Sequence, residues 1–263
     1  AHGDFDTRIE TSGSDEVAAM GNNINAMAES LEQLDTARRR WLAEIGHELR
    51  TPLAVLTGEL DALKDGVRPI NMEAVVSLSD ETKLLNRLVD DLHFLAVSDL
   101  SGSICHFEPG DAVASLKGAV ERFQQKAQDA GLTLVANTEP YESLPVNWDD
   151  GRIDQLLNAL LTNSLRYTDA PGEIIVNLSV ESENAMITIN DSAPSVEARN
   201  FPHLFEPLYR VDDARSRQSG GSGLGLAVSQ KIVEAHGGRI SACASDIGGL
   251  SITVSIPLDK DQV

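Results

Sequence analysis

The sequence predicts an all-α dimerisation unit followed by an α+β unit. Each chain contributes a helical hairpin to a dimeric four-helix bundle and then folds a sandwich of helices on one face of a β-sheet. Three observations predict this. Apolar residues recur at spacings of three and four through most of the first hundred residues, the pattern then changes to mixed helix and strand, and the change falls at the small, polar stretch Ser98–Ser103. At 263 residues the chain has room for two or three units, and 41% hydrophobic residues suffice for a core.

Taken in order, Gly3 to Ser14 is polar and rich in Gly and Asp. Val17, Met20, Ile24, Met27 and Leu31 then mark one stripe of a helix from Asp15 to Leu34 that needs a partner to bury it. From Trp41 to Leu63 the stripe continues through Leu42, Ile45, Leu49, Leu56, Leu60 and Leu63, close to a heptad pattern with Pro52 inside it. Leu78, Leu85, Leu88, Leu92 and Leu95 form a second stripe, and the breaker-rich Lys64–Asn71 turns the chain between the two. Two antiparallel helices enclose too little interior to stand alone, so the hairpin predicts a homodimer. Beyond the linker, helices are expected at 111–130, 151–167 and 223–236. Strands are expected at 132–137, 173–180, 185–190, 239–244 and 249–256, in antiparallel pairs without regular βαβ crossovers.

Asp and Glu number 41 against 21 Lys and Arg, a net charge of −20 that excludes a broad nucleic-acid-binding surface. A polyanionic ligand must instead be held locally, by a metal ion or by backbone N–H groups. Cys105 and Cys243 lie far apart without metal-ligand spacing, which fits a reducing, cytoplasmic setting. No run of about 18 apolar residues exists, and Ala1 opens with neither Met nor a signal-peptide pattern, so the sequence is expected to be a fragment whose upstream part is missing, with a mature protein lacking its initiator Met as the alternative.

The most specific cluster is Gly220-Gly221-Ser222-Gly223-Leu224-Gly225-Leu226, directly before a helix. Glycines there let the backbone approach a phosphate, with free N–H groups and the helix dipole facing the anion; a flexible turn is the plain alternative. The helix at 151–167 carries Asn158 and Asn163 among leucines. An inward Asn163 suits an oxygen ligand to Mg²⁺, and exposed asparagines on the polar face are the competing explanation. Arg166 and Tyr167 close that helix, offering a cation for phosphate oxygens and a ring near a nucleobase. Asp191 follows a strand, placed either to accept from an exocyclic amine such as that of adenine or simply to form a turn. Phe201, Phe205, Tyr209, Arg210 and Arg215 outline a hinge and lid, or else core anchors. Finally, His47-Glu48-Leu49-Arg50-Thr51-Pro52 lies on the first bundle helix. His47 stands two residues past Ile45 and so points away from the seam. Glu48 can accept an Nδ1 proton from a neutral imidazole, leaving Nε2 as nucleophile, and the Thr51 hydroxyl, one turn on, can orient a water. Pro52 removes a helical hydrogen bond and is expected to bend the helix beside the reactive face.

Together these pieces resemble the sensor histidine kinases of bacterial two-component systems, along nearly the whole chain. His47 to Pro52 matches the family's phosphoacceptor motif, Asn158 to Tyr167 its asparagine box, Asp191 its first glycine-box aspartate, Phe201 to Phe205 its phenylalanine box and Gly221 to Leu226 its second glycine box. Gly3 to Leu34 is similar to the second half of a HAMP relay, and Trp41 to Leu60 with Asp191-Ser192-Ala193-Pro194 is most similar to the envelope-stress sensor kinases.

The resemblance implies a relay part at 1–36, a dimerisation and phosphotransfer domain at 37–100 and an ATP-binding domain of the histidine kinase, chaperone and topoisomerase type at 101–263. It implies His47 as phosphoacceptor, Glu48 as general base, and Thr51 as the group positioning water in the reverse, phosphatase reaction. Asn163 would bind Mg²⁺ and Asp191 the adenine amine. Asn158, Arg166, Tyr167, Arg210, Gly221, Gly223, Leu224 and Gly225 would lie against the nucleotide or its lid. The implied partners are a second copy and the receiver domain of a response regulator. The implied location is the cytoplasmic portion of an inner-membrane protein whose membrane-spanning sensor segment lies upstream. One departure stands out: Ala193 and Ser195 occupy positions where the family has glycine, with Pro194 between them, so that loop is expected to be stiffer. In the relay, Ala18 replaces a common glycine. Two other readings use the same residues: an ATPase whose nucleotide acts as a conformational clamp, without a covalent phosphate on His47, and a non-enzymatic dimeric scaffold.

Overall fold

The computed structural model describes residues 7–10, 16–98, 105–211 and 222–258. It comprises two compact units, residues 1–85 and 86–263.

The first unit is helical. One uninterrupted helix, α1 (Glu16–Lys64, 49 residues), replaces the two expected at 15–34 and 41–63. The connecting Asp35-Thr36-Ala37-Arg38-Arg39-Arg40 is polar but contains neither Gly nor Pro, so nothing in it stops a helix. The helix also runs on through Pro52. Residues 7–10 lie along α1: Asn25 accepts from the Ile9 N–H at 2.8 Å and donates to the Ile9 carbonyl at 2.9 Å, and Arg8 pairs with Glu32. Gly66, at a φ of 72° that favours glycine, follows the end of α1. Asn71 then caps α2 (Met72–Ser98) by accepting from the Ala74 N–H at 2.9 Å. Glu59 ties the hairpin together, accepting from Ser77 and pairing with Arg68 in the turn. The apolar stripes remain largely uncovered: Val17, Met20, Met27, Leu34, Leu42, Leu53 and Leu60 are all exposed.

The second unit, which includes α2 from Asn86 onward, is an α+β sandwich. Its elements are β1 (Glu108–Asp111), α3 (Ala112–Asp129), β2 (Leu132–Asn137), β3 (Pro145–Trp148), α4 (Asp150–Tyr167), β4 (Gly172–Glu181), β5 (Asn184–Ser192), a 3-10 turn (Ala198–His203), α5 (Gly225–Ala235), β6 (Arg239–Ala244) and β7 (Gly248–Pro257). The main sheet runs β2-β4-β5-β7-β6, and β1 pairs separately with β3. Two expectations need correction. Strands β1 and β3 are not evident in the sequence, because four-residue strands, one carrying Pro109 and Gly110, show no alternating pattern. The sheet is also not wholly antiparallel: β2 and β4 pair in parallel, with α4 crossing between them.

Helices α3 and α4 pack on each other, α4 packs on α5, and all three pack on the sheet. Ile153, Leu156, Leu157, Leu160 and Leu161 of α4 meet Ile174, Ile187 and Ile189 in a core with almost no exposure. Asp149 caps α4, accepting from the Arg152 N–H at 3.0 Å and the His106 N–H at 2.8 Å, while its own N–H donates to Nε2 of the buried His236 at 3.0 Å. His236 therefore holds its proton on Nδ1, which donates to the Ile232 carbonyl at 2.7 Å and ties the end of α5 to the start of α4.

Candidate functional site

Strand β5 alternates strictly, with Ala185, Ile187 and Ile189 facing the core, and that period places Asp191 at the next inward position. The sequence reading put Asp191 just beyond the strand. It lies inside β5, opposite Ile174, because the strand continues through a bulge between Asn190 and Ser192. A carboxylate thus sits where a core residue would be expected, 5% exposed. Burial pushes its carboxyl up, opposed by the Leu250 N–H, which donates to Oδ1 at 2.6 Å, and by the Ser164 hydroxyl on α4. Glycine is required beside it: a Cβ on Gly249 would collide with the Asp191 carboxylate and with the carbonyls of Asp191 and Ser192.

Asn163 precedes Ser164, so it lies beside the Asp191 contact. Its half-buried side chain makes no hydrogen bond to a described residue, which leaves the amide oxygen available to a ligand. One helical turn earlier, Ala159 lies against Gly225, the first residue of α5, which brings the start of α5 to the same side of α4 as Asn163. No side chain among the described residues caps α5, so its first-turn N–H groups can face an anion. Asn163, Asp191 and the Leu224–Gly225 helix start therefore converge.

Other expected residues behave differently. Gly223 has a φ of 71°, and a Cβ there would strike the Leu208 backbone, whose N–H donates to the Gly223 carbonyl at 2.9 Å. Its glycine is explained by packing against the segment that holds Tyr209 and Arg210. Asn158 lies five residues from Asn163, roughly 140° around the helix, and donates to Asp154 at 2.8 Å; Asp154 in turn pairs with Arg122. Arg166 and Arg210 are half-buried and Tyr167 is 39% exposed. Gly220, Gly221 and Arg215 lie outside the described residues. The Ala193-Pro194-Ser195 loop is fastened at both ends. The Ala193 carbonyl accepts from the Asp169 N–H at 3.1 Å, and the Ser195 hydroxyl donates to the Gly249 carbonyl at 2.8 Å.

In the helical unit, His47 is exposed and its ring makes no hydrogen bond to a described residue. The Thr51 hydroxyl donates to the His47 carbonyl at 3.3 Å, so it lies one turn above His47, on the same side of the helix. Pro52 is buried.

No group of three or more His, Cys, Asp or Glu among the described residues forms a metal cage. The donor set still suits Mg²⁺, which binds through few protein oxygens when a polyphosphate supplies the rest, and the free amide oxygen of Asn163 is such a donor. Ser164 and Gly249 were missed in the sequence. Ser164 directly follows the asparagine that drew attention, but its role depends on a strand 27 residues away.

Comparison with known proteins agrees with this architecture. Residues 1–33 match the HAMP domain, 37–99 the His Kinase A (phospho-acceptor) domain, and 148–260 the histidine kinase-, DNA gyrase B- and HSP90-like ATPase. The chain is 44% identical over 261 residues to the signal transduction histidine-protein kinase BaeS of Escherichia coli, covering 99% of the chain and 56% of that relative. It is 31% identical to the sensor histidine kinase WalK of Bacillus subtilis, covering 88% of the chain and 38% of that relative. The Acinetobacter baumannii histidine kinase AdeS superposes with a TM-score of 0.66 at 30% identity, over 81% of this chain and 98% of that one. The fold also matches the histidine kinase ThkA, solved in complex with the response regulator protein TrrA, with a TM-score of 0.64 at 20% identity over 88% and 65% of the two chains. The chain belongs to the histidine kinase family, most similar among these to the BaeS type, and it spans about half the length of the curated relatives it matches.

Proposed function

We propose that this chain is the kinase portion of a sensor histidine kinase that phosphorylates itself on His47 and passes the phosphoryl group to an aspartate of a response regulator. The observation that carries this reading is the convergence of the buried carboxylate of Asp191, the Asn163 amide and the start of α5, the last two without a side-chain partner among the described residues. Those groups suit the amine, the metal-bound phosphates and the anionic tail of ATP. Phosphoryl transfer asks mainly for positioning and charge neutralisation.

In the reaction, Nε2 of His47 forms a bond to the γ-phosphorus while the bond from that phosphorus to the β,γ-bridging oxygen breaks. ADP leaves with the electron pair. Glu48 takes the Nδ1 proton and keeps the ring nucleophilic. Mg²⁺ on Asn163 would neutralise phosphate charge. Asn158, Arg166, Tyr167, Arg210 and Gly221 are assigned by motif position to nucleotide or lid contacts. Thr51 would position the water of the reverse, phosphatase reaction. Residues 1–36, 37–100 and 101–263 serve as relay part, dimerisation and phosphotransfer domain, and ATP-binding domain. The active form is a dimer through the hairpin, whose uncovered stripes support that assembly. No helix among the described residues is long and apolar enough to cross a membrane. The relay match supports a membrane-anchored parent with this portion on the cytoplasmic side.

Incubation with γ-labelled ATP and Mg²⁺ tests the proposal. Acid-labile, base-stable label that disappears in His47→Gln is expected, whereas wild-type protein that binds ATP and hydrolyses it without acquiring label overturns it.

A further inference from the structure

Leu88, Asp91, Phe94 and Leu95 share one face in the last turns of α2, the part of that helix that belongs to the second unit. The three apolar members are each 6% exposed or less, so a carboxylate stands in the middle of a buried stripe. Two contacts fasten this face to the first turns of α4. Gln155 donates to Oδ1 of Asp91 at 3.0 Å, and the Arg152 guanidinium lies over the Phe94 ring, 4.3 Å from its centroid. Arg152 also donates to the side-chain oxygen of Gln155 at 2.9 Å. A guanidinium can only donate, so that bond fixes which end of the Gln155 amide faces Asp91. Oδ1 of Asp91 is therefore an acceptor whether or not the carboxyl carries a proton.

The charge on Asp91 is poorly supported where it sits. Burial, the largest influence, raises the carboxyl to about 6; the Gln155 bond lowers it, Asp90 on α2 raises it, and Arg87 on α2 and Arg152 on α4 lower it. Released into water, the same carboxyl returns to its ordinary value of 3.8. The fastened state thus keeps a proton that the released state gives up, and fastening weakens as the pH rises from 3.8 through about 6. Phosphoryl transfer needs the γ-phosphate brought in line with Nε2 of His47, and the receiver aspartate must reach the same imidazole afterwards. A second unit fastened to α2 keeps one placement through both steps, which slows the cycle.

We propose that Asp91, Gln155, Arg152 and Phe94 form a proton-operated latch between α2 and α4, which tightens as the surroundings acidify and holds down phosphorylation of His47. The hold on His47 rests on the function proposed above; the latch itself does not.

The latch is tested on the whole chain by pulsed electron spin resonance. Labels are placed on the exposed Cys243 and on Asn86→Cys, an exposed position of α2, with Cys105→Ser and an excess of unlabelled chain. Between pH 7.5 and 5.5 the ratio of the narrow, fastened distance to the broad, released one should rise about fourfold in wild type. Asp91→Asn keeps the acceptor oxygen but cannot ionise, so it should stay fastened at both pH values, and Gln155→Ala should shift towards release at both. Labelling of His47 from γ-labelled ATP, compared between chains at one pH, should be slower than wild type in Asp91→Asn at pH 7.5 and faster than wild type in Gln155→Ala at pH 5.5. Wild-type distances that ignore pH, or a wild-type pH response in Asp91→Asn, overturn the latch. Distances that respond while both variants label His47 at the wild-type rate overturn its hold on phosphorylation. Responsive distances with no label on His47 in any chain overturn the proposed function instead and leave the latch standing.

Discussion

The two units bury their apolar residues in opposite ways. Among the described residues, the apolar side chains buried in the first unit are those of Ala18, Pro52 and Ala74, all small. The second unit buries Trp148 together with a continuous set of leucines, isoleucines and valines. Conversely, Val17, Met20, Leu34, Val67, Ile70 and Met72 in the first unit are all more than 60% exposed. The difference separates a helical unit that leaves its apolar stripes uncovered from a domain that completes its own core. The proposed phosphoacceptor His47 belongs to the first kind, the proposed nucleotide groups to the second.

The largest effect expected falls on chemistry within the self-sufficient unit. Asn163→Ala should reduce phosphorylation of His47 by ~100-fold or more, the scale of losing one preorganised charge-stabilising group, while leaving the melting temperature unchanged. A fully labelled variant would show that the free amide does not serve the metal.

Packing comes next. Leu160 is wholly buried in α4, so Leu160→Ala should cost about 3 kcal/mol in chemical denaturation. Leu53 on α1 is 55% exposed, and Leu53→Ala should change the stability of the ATP-binding unit by less than about 0.5 kcal/mol while weakening self-association measured by sedimentation. If the leucine on α1 proves as costly to the second unit as the one on α4, the contrast fails.

Two titrations sharpen it further. Burial lowers the pKa of His236 below the ordinary imidazole value of 6.5, against the Ile232 bond and the Asp149 charge. The unfolded chain takes up the proton first, so this stability is fully present above 6.5 and is lost as the pH falls below it. Thermal melts at pH 7.5 and 5.5 should show that loss, and His236→Gln, with one donor and one acceptor, should flatten it.

Asp91, near the end of α2, works with the opposite sign. Burial raises its carboxyl to about 6, against the Gln155 amide that donates to it at 3.0 Å; Asp90 raises it further, and Arg87 and Arg152 lower it. Between 3.8 and about 6 the native state keeps a proton that the unfolded chain has released, so stability declines as pH rises through that window. Asp91→Asn should therefore gain about 1 kcal/mol at pH 7.5, after allowance for solvent screening, and nothing at pH 3.5. A gain of equal size at both values would point to packing instead of charge.

The contrast also explains what the sequence revealed. Stripes at helical spacing showed both hairpin helices, and clustered glycines with an asparagine among leucines marked the candidate nucleotide groups, because each signal is local. The continuity of α1 was hidden by a polar run at 35–40 that reads as a loop but contains nothing that breaks a helix. The parallel pairing of β2 with β4 was hidden because a register is set by distant partners. Ser164 and His236 were hidden for a similar reason. Each looks like an ordinary helix residue until the strand or cap it bonds is brought beside it.

The unbroken α1 has a mechanical consequence. From Glu16 to His47 the helix spans about 45 Å with no joint at which a displacement could dissipate. A torque applied at its first turn reaches the histidine as rotation about the axis, and a slip of one residue turns the imidazole by about 100°. The helix would therefore transmit phase, and rotation at its first turn would set which way the proposed nucleophile faces.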